Sequence, residues 1–196
     1  MRKTLQFSAY ALLGLTLLLG ACKKDDEVAP TETPFATFMA DSTTTSYIFD
    51  EGETLEVGYT FKSSKTGKIV HLGTHMPKAG SYQVTLWDVE AKKSITQVTV
   101  TQSKDATSAT ANISEVALTA NKEYAITVYN NGAPFYINYL KSYTEQRQTS
   151  SKYDVFPVTK GNITFVSTIY GSTKSTYPEL TYNQSVYGFP EFGIRF

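Results

Sequence analysis

Leu55-Glu56-Val57-Gly58-Tyr59-Thr60-Phe61 alternates apolar side chains with small or polar ones, and a period of two is that of a strand with one face buried. Ser63 to Lys68, with Thr66-Gly67 inside it, predicts a reversal into a second strand over Ile69 to His75, and Pro77 to Gly80 predicts another into a third over Ser81 to Val89. These three are expected to form a meander. Strand patterns recur over Ile95 to Val100, Ala109 to Val116, Glu123 to Tyr129, Phe135 to Leu140, Asn162 to Ile169 and Glu191 to Phe196. Because Asn130-Asn131-Gly132 tolerates positive φ, residues 123–140 read as a hairpin. No window holds a helical period. Short strands at this spacing predict an all-β fold, a single antiparallel β-sandwich over residues 35–196. Lys141 to Lys152, polar throughout, and Ser172 to Val186, rich in Tyr, are expected as long loops.

Composition agrees. Aromatic residues make up 13% of the chain and are mostly Tyr and Phe, which suit pleated strands. Eighteen basic and eighteen acidic side chains cancel, and Lys62, Lys65, Lys68 and Lys78 are interspersed with turn residues and balanced by Asp50, Glu51, Glu53 and Glu56. A phosphate backbone needs clustered Lys and Arg, so no nucleic-acid partner is expected. With one cysteine, Cys22, no intramolecular disulfide can form, and stability must come from a hydrophobic core.

At the N-terminus Arg2 and Lys3 precede an apolar run, Ala9 to Leu19, that is short of the roughly 20 residues a membrane-spanning helix needs. Leu19-Gly20-Ala21-Cys22 resembles the lipobox of bacterial lipoproteins. That resemblance implies a signal peptide over residues 1–21, a mature chain beginning at Cys22 and a diacylglyceryl group on its thiol, which anchors it to a membrane. Lys23-Lys24-Asp25-Asp26-Glu27 resembles the tether of Bacteroidetes lipoproteins and implies display on the outer face of the outer membrane. Residues 22–34, with Pro30 and Pro34, read as a lipidated cysteine and a flexible, extended linker. Asp41-Ser42-Thr43 resembles the O-glycosylation acceptor of the same bacteria.

Further segments resemble a bacterial family of domains of unknown function from secreted and cell-surface proteins. Val57-Gly58-Tyr59-Thr60-Phe61 is similar to its Gly-x-x-Phe opening strand, and Thr66-Gly67-Lys68-Ile69-Val70 to the turn and strand that follow. Gly80 to Asp88 is similar to its Gly-Thr-His-x-x-x-Leu-Trp block, with Ser81-Tyr82 in place of Thr-His. Leu118 to Tyr124 and Phe189 to Phe196 resemble later segments, Asn121 standing where the family has glycine. The resemblance implies a jelly-roll-like sandwich similar in shape to carbohydrate-binding modules, without established catalytic residues.

Chemistry-bearing residues are sparse. His71 and His75 are the only histidines; four residues of strand advance about 13 Å, too far for two ligands on one zinc. No Gly-x-Ser-x-Gly elbow, P-loop or dinucleotide pattern occurs, so no cofactor is expected. A glycosidase needs only two carboxylates about 5 to 9.5 Å apart, which leaves Asp50, Glu53, Asp88, Glu90, Glu179 and Glu191 to be placed. Asp50-Glu51-Gly52-Glu53 is the best calcium-binding stretch, read against a simple charged turn. Trp87 either fills the core or lies on the face opposite Tyr82, Val84 and Leu86. Candidate ligand-binding rings, flat enough to stack on sugars, are Tyr170, Tyr177, Tyr182 and Tyr187, beside Phe189, together with Trp87.

The expectation is a lipid-anchored, non-catalytic surface module that binds a glycan or a surface partner through the rings between Tyr177 and Tyr187. The alternatives are a structural or assembly lipoprotein and a glycoside hydrolase.

Overall fold

The computed structural model describes residues 29–40, 44–140 and 154–196. The expected signal peptide, Cys22 and its charged tether, the Asp41-Ser42-Thr43 motif and the loop over Lys141 to Lys152 lie outside the described residues. One short helix, α1 (Pro34–Met39), precedes strands β1 (Thr44–Phe49), β2 (Glu56–Ser63), β3 (Gly67–Met76), β4 (Gly80–Asp88), β5 (Lys93–Gln102), β6 (Thr107–Leu118), β7 (Glu123–Tyr129), β8 (Phe135–Leu140), β9 (Val158–Lys160), β10 (Ile163–Gly171), β11 (Leu180–Tyr182), β12 (Val186–Tyr187) and β13 (Pro190–Arg195).

All pairings are antiparallel. The largest sheet runs β11-β10-β2-β7-β4-β5, with β9 also paired to β10; β13-β3-β6 and β1-β8-β12 form two smaller sheets. Packed on one another without closing into a barrel, they make an all-β sandwich. The period of two read from Leu55 to Phe61 is realised in register: Tyr170, Val57, Val128, Val84 and Val98 line up across the inner face of the large sheet. From that face Phe61 stacks on Phe192 of β13, ring centroids 4.4 Å apart, which joins two sheets through one core. Tyr59 is fully buried and donates its hydroxyl to the Pro190 carbonyl at 3.0 Å. Gln102, also buried, receives the Met76 N–H and donates to the Met76 carbonyl, each at 2.8 Å, tying the end of β3 to β5.

Strand positions follow the sequence pattern, but several connections differ from it. The meander expected from β2, β3 and β4 does not form: β2 pairs β10 and β7, β3 pairs β13 and β6, and β4 pairs β5 and β7. Consecutive strands cross between sheets because each presents its apolar side to the same core from opposite walls. The hairpin expected over residues 123–140 is likewise absent. Asn131 and Gly132 do take positive φ, 52° and 77°, yet the Asn130 side chain accepts from the Leu55 N–H at 2.7 Å and donates to the carbonyls of Glu53 and Ala133 at 2.7 and 2.8 Å. Those bonds pin the turn to the entry of β2 and send Phe135 into the small sheet beside β1. The loop expected over Ser172 to Val186 contains β11 and reaches β12.

Helix α1, too short for a period to show, was not expected. Pro34 occupies its first turn, where a missing N–H costs nothing. Phe35 and Phe38 turn inward, and Phe35 stacks on Tyr59 at 4.4 Å and meets Phe165 and Phe189 edge-on. Thr33 makes no side-chain cap; the buried Glu191 carboxylate of β13 supplies it, accepting from the N–H groups of Ala36 and Phe35 and from that of Phe192. Glu32 exchanges backbone hydrogen bonds of 2.8 and 2.9 Å with Ile194, and Arg195 Nε donates to Thr31 Oγ1 at 3.0 Å. The last residues of the expected free linker are therefore docked on β13.

Candidate functional site

Beyond the open edge of the large sheet, β11 and the residues after it face the segment that leads into β9. Val155 and Phe156 are buried, and both of their N–H groups donate to the Asn183 carbonyl, at 2.7 and 3.2 Å. This clamp sets Asp154 opposite Thr181, Tyr182, Asn183 and Gln184, and the five line a groove of about 450 Å³. Tyr182 is held on two sides: its hydroxyl donates to Gln184 Oε1 at 2.8 Å, and its ring lies 6.1 Å from Tyr187, which packs 5.1 Å from Tyr170. The three half-buried rings form a ladder where the inner face of the sheet emerges at its edge.

Among the described residues, every lining side chain carries a polar group. Small-molecule pockets are ordinarily apolar with a few polar groups, so this lining suits a ligand that is itself dense in hydrogen-bonding groups. Asp154 offers acceptors only, Asn183 and Gln184 offer both donors and acceptors, and Tyr182 adds a flat ring with a polar tip.

A second cluster lies on the outer face of the large sheet. Ile169, Gly58, Thr127, Thr85 and Gln97 are in register across it, and residues 172–179 fold back over them as a strap. Tyr177 meets Trp87 edge-on at 5.9 Å. Ser175 donates its N–H to Glu56 Oε2 at 3.3 Å and accepts from Gln83 Nε2 at 2.8 Å. Lys92 bonds Glu179 at 2.7 Å. Beneath the strap, Trp87 Nε1 donates to Thr127 Oγ1 at 2.8 Å, and Thr127 donates onward to the buried Glu56 carboxylate. Burial pushes the Glu56 carboxyl above its ordinary range, although its hydrogen bonds from Thr127 and Ser175 and the nearby Lys174 pull the other way. The strap leads straight into β11, so this network sets where the groove begins.

The five rings singled out in the sequence thus fall into two groups. Tyr170, Tyr182 and Tyr187 come together, and Tyr182 lines the groove; Tyr177 and Trp87 come together on the opposite face. Trp87 takes the second of its two expected positions, away from Tyr82, Val84 and Leu86, and is nonetheless 2% exposed. Phe189 packs against Phe35 and His75 instead of the tyrosines. Asp50, Glu51 and Glu53 are exposed in the connection between β1 and β2, and among the described residues no three His, Cys, Asp or Glu side chains converge as a metal site would require.

None of the other carboxylates named from the sequence is among the described residues that line the groove. Asp88 pairs with Lys122 at 2.7 Å, Glu179 with Lys92, Glu90 is exposed, and Glu191 caps α1. His75 Nδ1 contacts Ser108 Oγ at 3.1 Å, with Tyr136 and Phe189 against the ring, but among the described residues no carboxylate bonds the imidazole. Burial lowers the pKa of both histidines. The His71 ring lies against Gly193, where a Cβ would fall 2.0 Å from its Cε1.

Asp154, Thr181, Asn183, Gln184 and Glu56 were not singled out from the sequence. The run Tyr182-Asn183-Gln184, an aromatic ring beside two planar amides, is the signal that marks the groove. No signal along the chain pairs it with Asp154, because 27 positions separate Asp154 from Thr181.

The fold and this groove define an antiparallel β-sandwich with a polar edge cleft. No family model, curated protein or solved structure matches the chain.

Proposed function

We propose that this chain is a non-catalytic, lipid-anchored module of the bacterial outer membrane that binds a glycan through the groove around Tyr182. The observation that carries the reading is the joining of a fixed tyrosine ring with four polar side chains in one cleft of about 450 Å³. A pyranose has apolar C–H faces and a rim of hydroxyls, and such a lining serves both. The commitment of Asp88 and Glu179 to ion pairs and of Glu191 to capping α1 supports binding over hydrolysis. Membrane attachment rests on the lipobox-like Leu19-Gly20-Ala21-Cys22.

An assembly role has its own observation. Among the described strands β1 lies at the edge of its sheet, with Tyr47 and Ile48 56% and 48% exposed, and an apolar edge of this kind can accept a strand from another protein.

A glycan microarray probed with the full chain and with Tyr182→Ala tests the first reading. Retention of one glycan class by the native protein and its loss in the variant are expected. Retention unchanged by Tyr182→Ala contradicts the groove, and no retention of any glycan by folded protein leaves the assembly role in its place.

A further inference from the structure

We infer that the end of the sandwich where the N-terminal segment enters is a membrane-facing surface, on which Lys65, Lys68, Lys160 and Arg195 meet the anionic headgroups of the bilayer that holds the anchor; the inference rests on the lipid-anchored reading above. Glu32 pairs antiparallel with Ile194, and Arg195 Nε donates to Thr31 Oγ1 at 3.0 Å, so the chain reaches β13 from beyond the C-terminal end of that strand. Cys22 stands ten positions before Glu32, and ten residues span at most about 35 Å when fully extended. A lipid on Cys22 therefore keeps this end of the fold next to the bilayer.

Basic side chains gather at the same end. Arg195 lies opposite Lys68, and Ile163 lies opposite both Ser63 and Lys160. The Ser64 N–H donates to the Asn162 carbonyl at 2.8 Å, which sets the turns after β2 and β9 side by side, and Thr31 and Glu32 line one cleft with Lys160 and Gly161. Lys68 and Arg195 both face Glu115, at 2.7 and 3.9 Å, so two cations share one carboxylate and keep a net positive charge. Lys65 is exposed in its turn. Surface ion pairs of this kind are weak, which leaves the lysines able to turn to a phosphate oxygen. Among the described residues, the opposite end exposes Asp50, Glu51 and Glu53, held beside the end of β7 by the bond from Asn130 to the Glu53 carbonyl. An anionic surface attracts the first cluster and repels the second, so charge and tether orient the molecule alike. Thr168, the partner of Tyr182, lies five positions along β10 from Ile163, which places the groove on the flank, about 16 Å from this end.

Hydrogen exchange of the full protein, recovered from bacterial membranes and placed in vesicles of phosphatidylcholine alone or with phosphatidylglycerol, tests the inference. On the anionic vesicles the amides of residues 64–66 and 161–162 are expected to exchange at least about tenfold more slowly than on the neutral ones, since each basic side chain at the surface favours contact about fivefold. High salt is expected to remove the difference, and amides of residues 50–53 are expected to exchange alike on both. Lys65→Glu with Lys68→Glu is expected to abolish the protection, and Lys65→Gln with Lys68→Gln, which perturbs the fold less, to remove most of it. Equal protection on both kinds of vesicle, or protection untouched by these variants in folded protein, overturns the role of the basic side chains. Protection at residues 50–53 instead, or at neither end, overturns the orientation and leaves the lipid anchor standing. An intact mass without a diacylglyceryl group on Cys22 overturns the anchor itself.

Discussion

Glu191→Gln gives the sharpest test of how the N-terminal segment is held. The Glu191 carboxyl is 6% exposed, and burial pushes its pKa from 4.5 up to about 7 despite the N–H groups of Phe192, Ala36 and Phe35 that favour its ionised form. The folded state therefore binds this proton more tightly than the unfolded chain. Its contribution to stability is complete below about pH 4.5 and is lost as the pH rises through about 7. At about 1.4 kcal/mol per pH unit, the loss is roughly 3 kcal/mol. The glutamine side chain has nearly the same shape and does not titrate, although its amide faces an N–H donor and lowers stability by an amount independent of pH. Urea unfolding of both proteins from about pH 4.5 to 8 isolates the effect, because every other titrating group is common to the two. The native protein is expected to lose roughly 3 kcal/mol relative to Glu191→Gln across that range, nearly all of it below about pH 7, with a plateau above. A difference that stays flat with pH would refute the argument that burial dominates this carboxyl.

Other variants probe the packing around the sheets. Gly193→Ala drives a Cβ into the His71 ring and is expected to cost about 1 to 3 kcal/mol by chemical denaturation; in a His71→Ala background most of that cost should vanish, since the two residues share one contact. Thr127→Val leaves the Trp87 N–H without a partner and the buried Glu56 carboxylate with the Ser175 N–H alone, and a loss of roughly 2 to 4 kcal/mol is expected from the same measurement. Phe35→Ala empties the centre of an aromatic cluster and is expected to cost about 3 to 5 kcal/mol, with limited proteolysis reporting release of the segment before β1.

Local alternation was enough to locate β2, β3, β7 and β8, because side-chain period is a property of the strand alone. Which strands become neighbours was not legible from it. The turn at Asn130-Asn131-Gly132 has the backbone freedom of a hairpin, and only the bonds its side chain makes to residues 53–55, distant in sequence, show that it is a corner between sheets. Glu56 reads as a solvent-facing residue in its strand and is buried because the strap around Ser175 lies over that face. Glu191 likewise sits in a terminal strand and acts on a helix 155 residues away. The tyrosines were legible as a group because loops rich in Tyr, Gly and Ser often carry binding sites. Their division between a groove and a buried cluster with Trp87 depended on the course of residues 172–179.

The central claim is that a glycan is bound at the edge groove, away from the tryptophan face. Backbone amide chemical shifts of the isotope-labelled protein, followed by nuclear magnetic resonance while a glycan selected on the array is titrated in, test it most directly. Saturable shifts concentrated at Asp154 and residues 181–184, with Trp87 Nε1–H unmoved, are predicted; shifts centred on Trp87 and Tyr177, or none in the groove at saturating glycan, would contradict it.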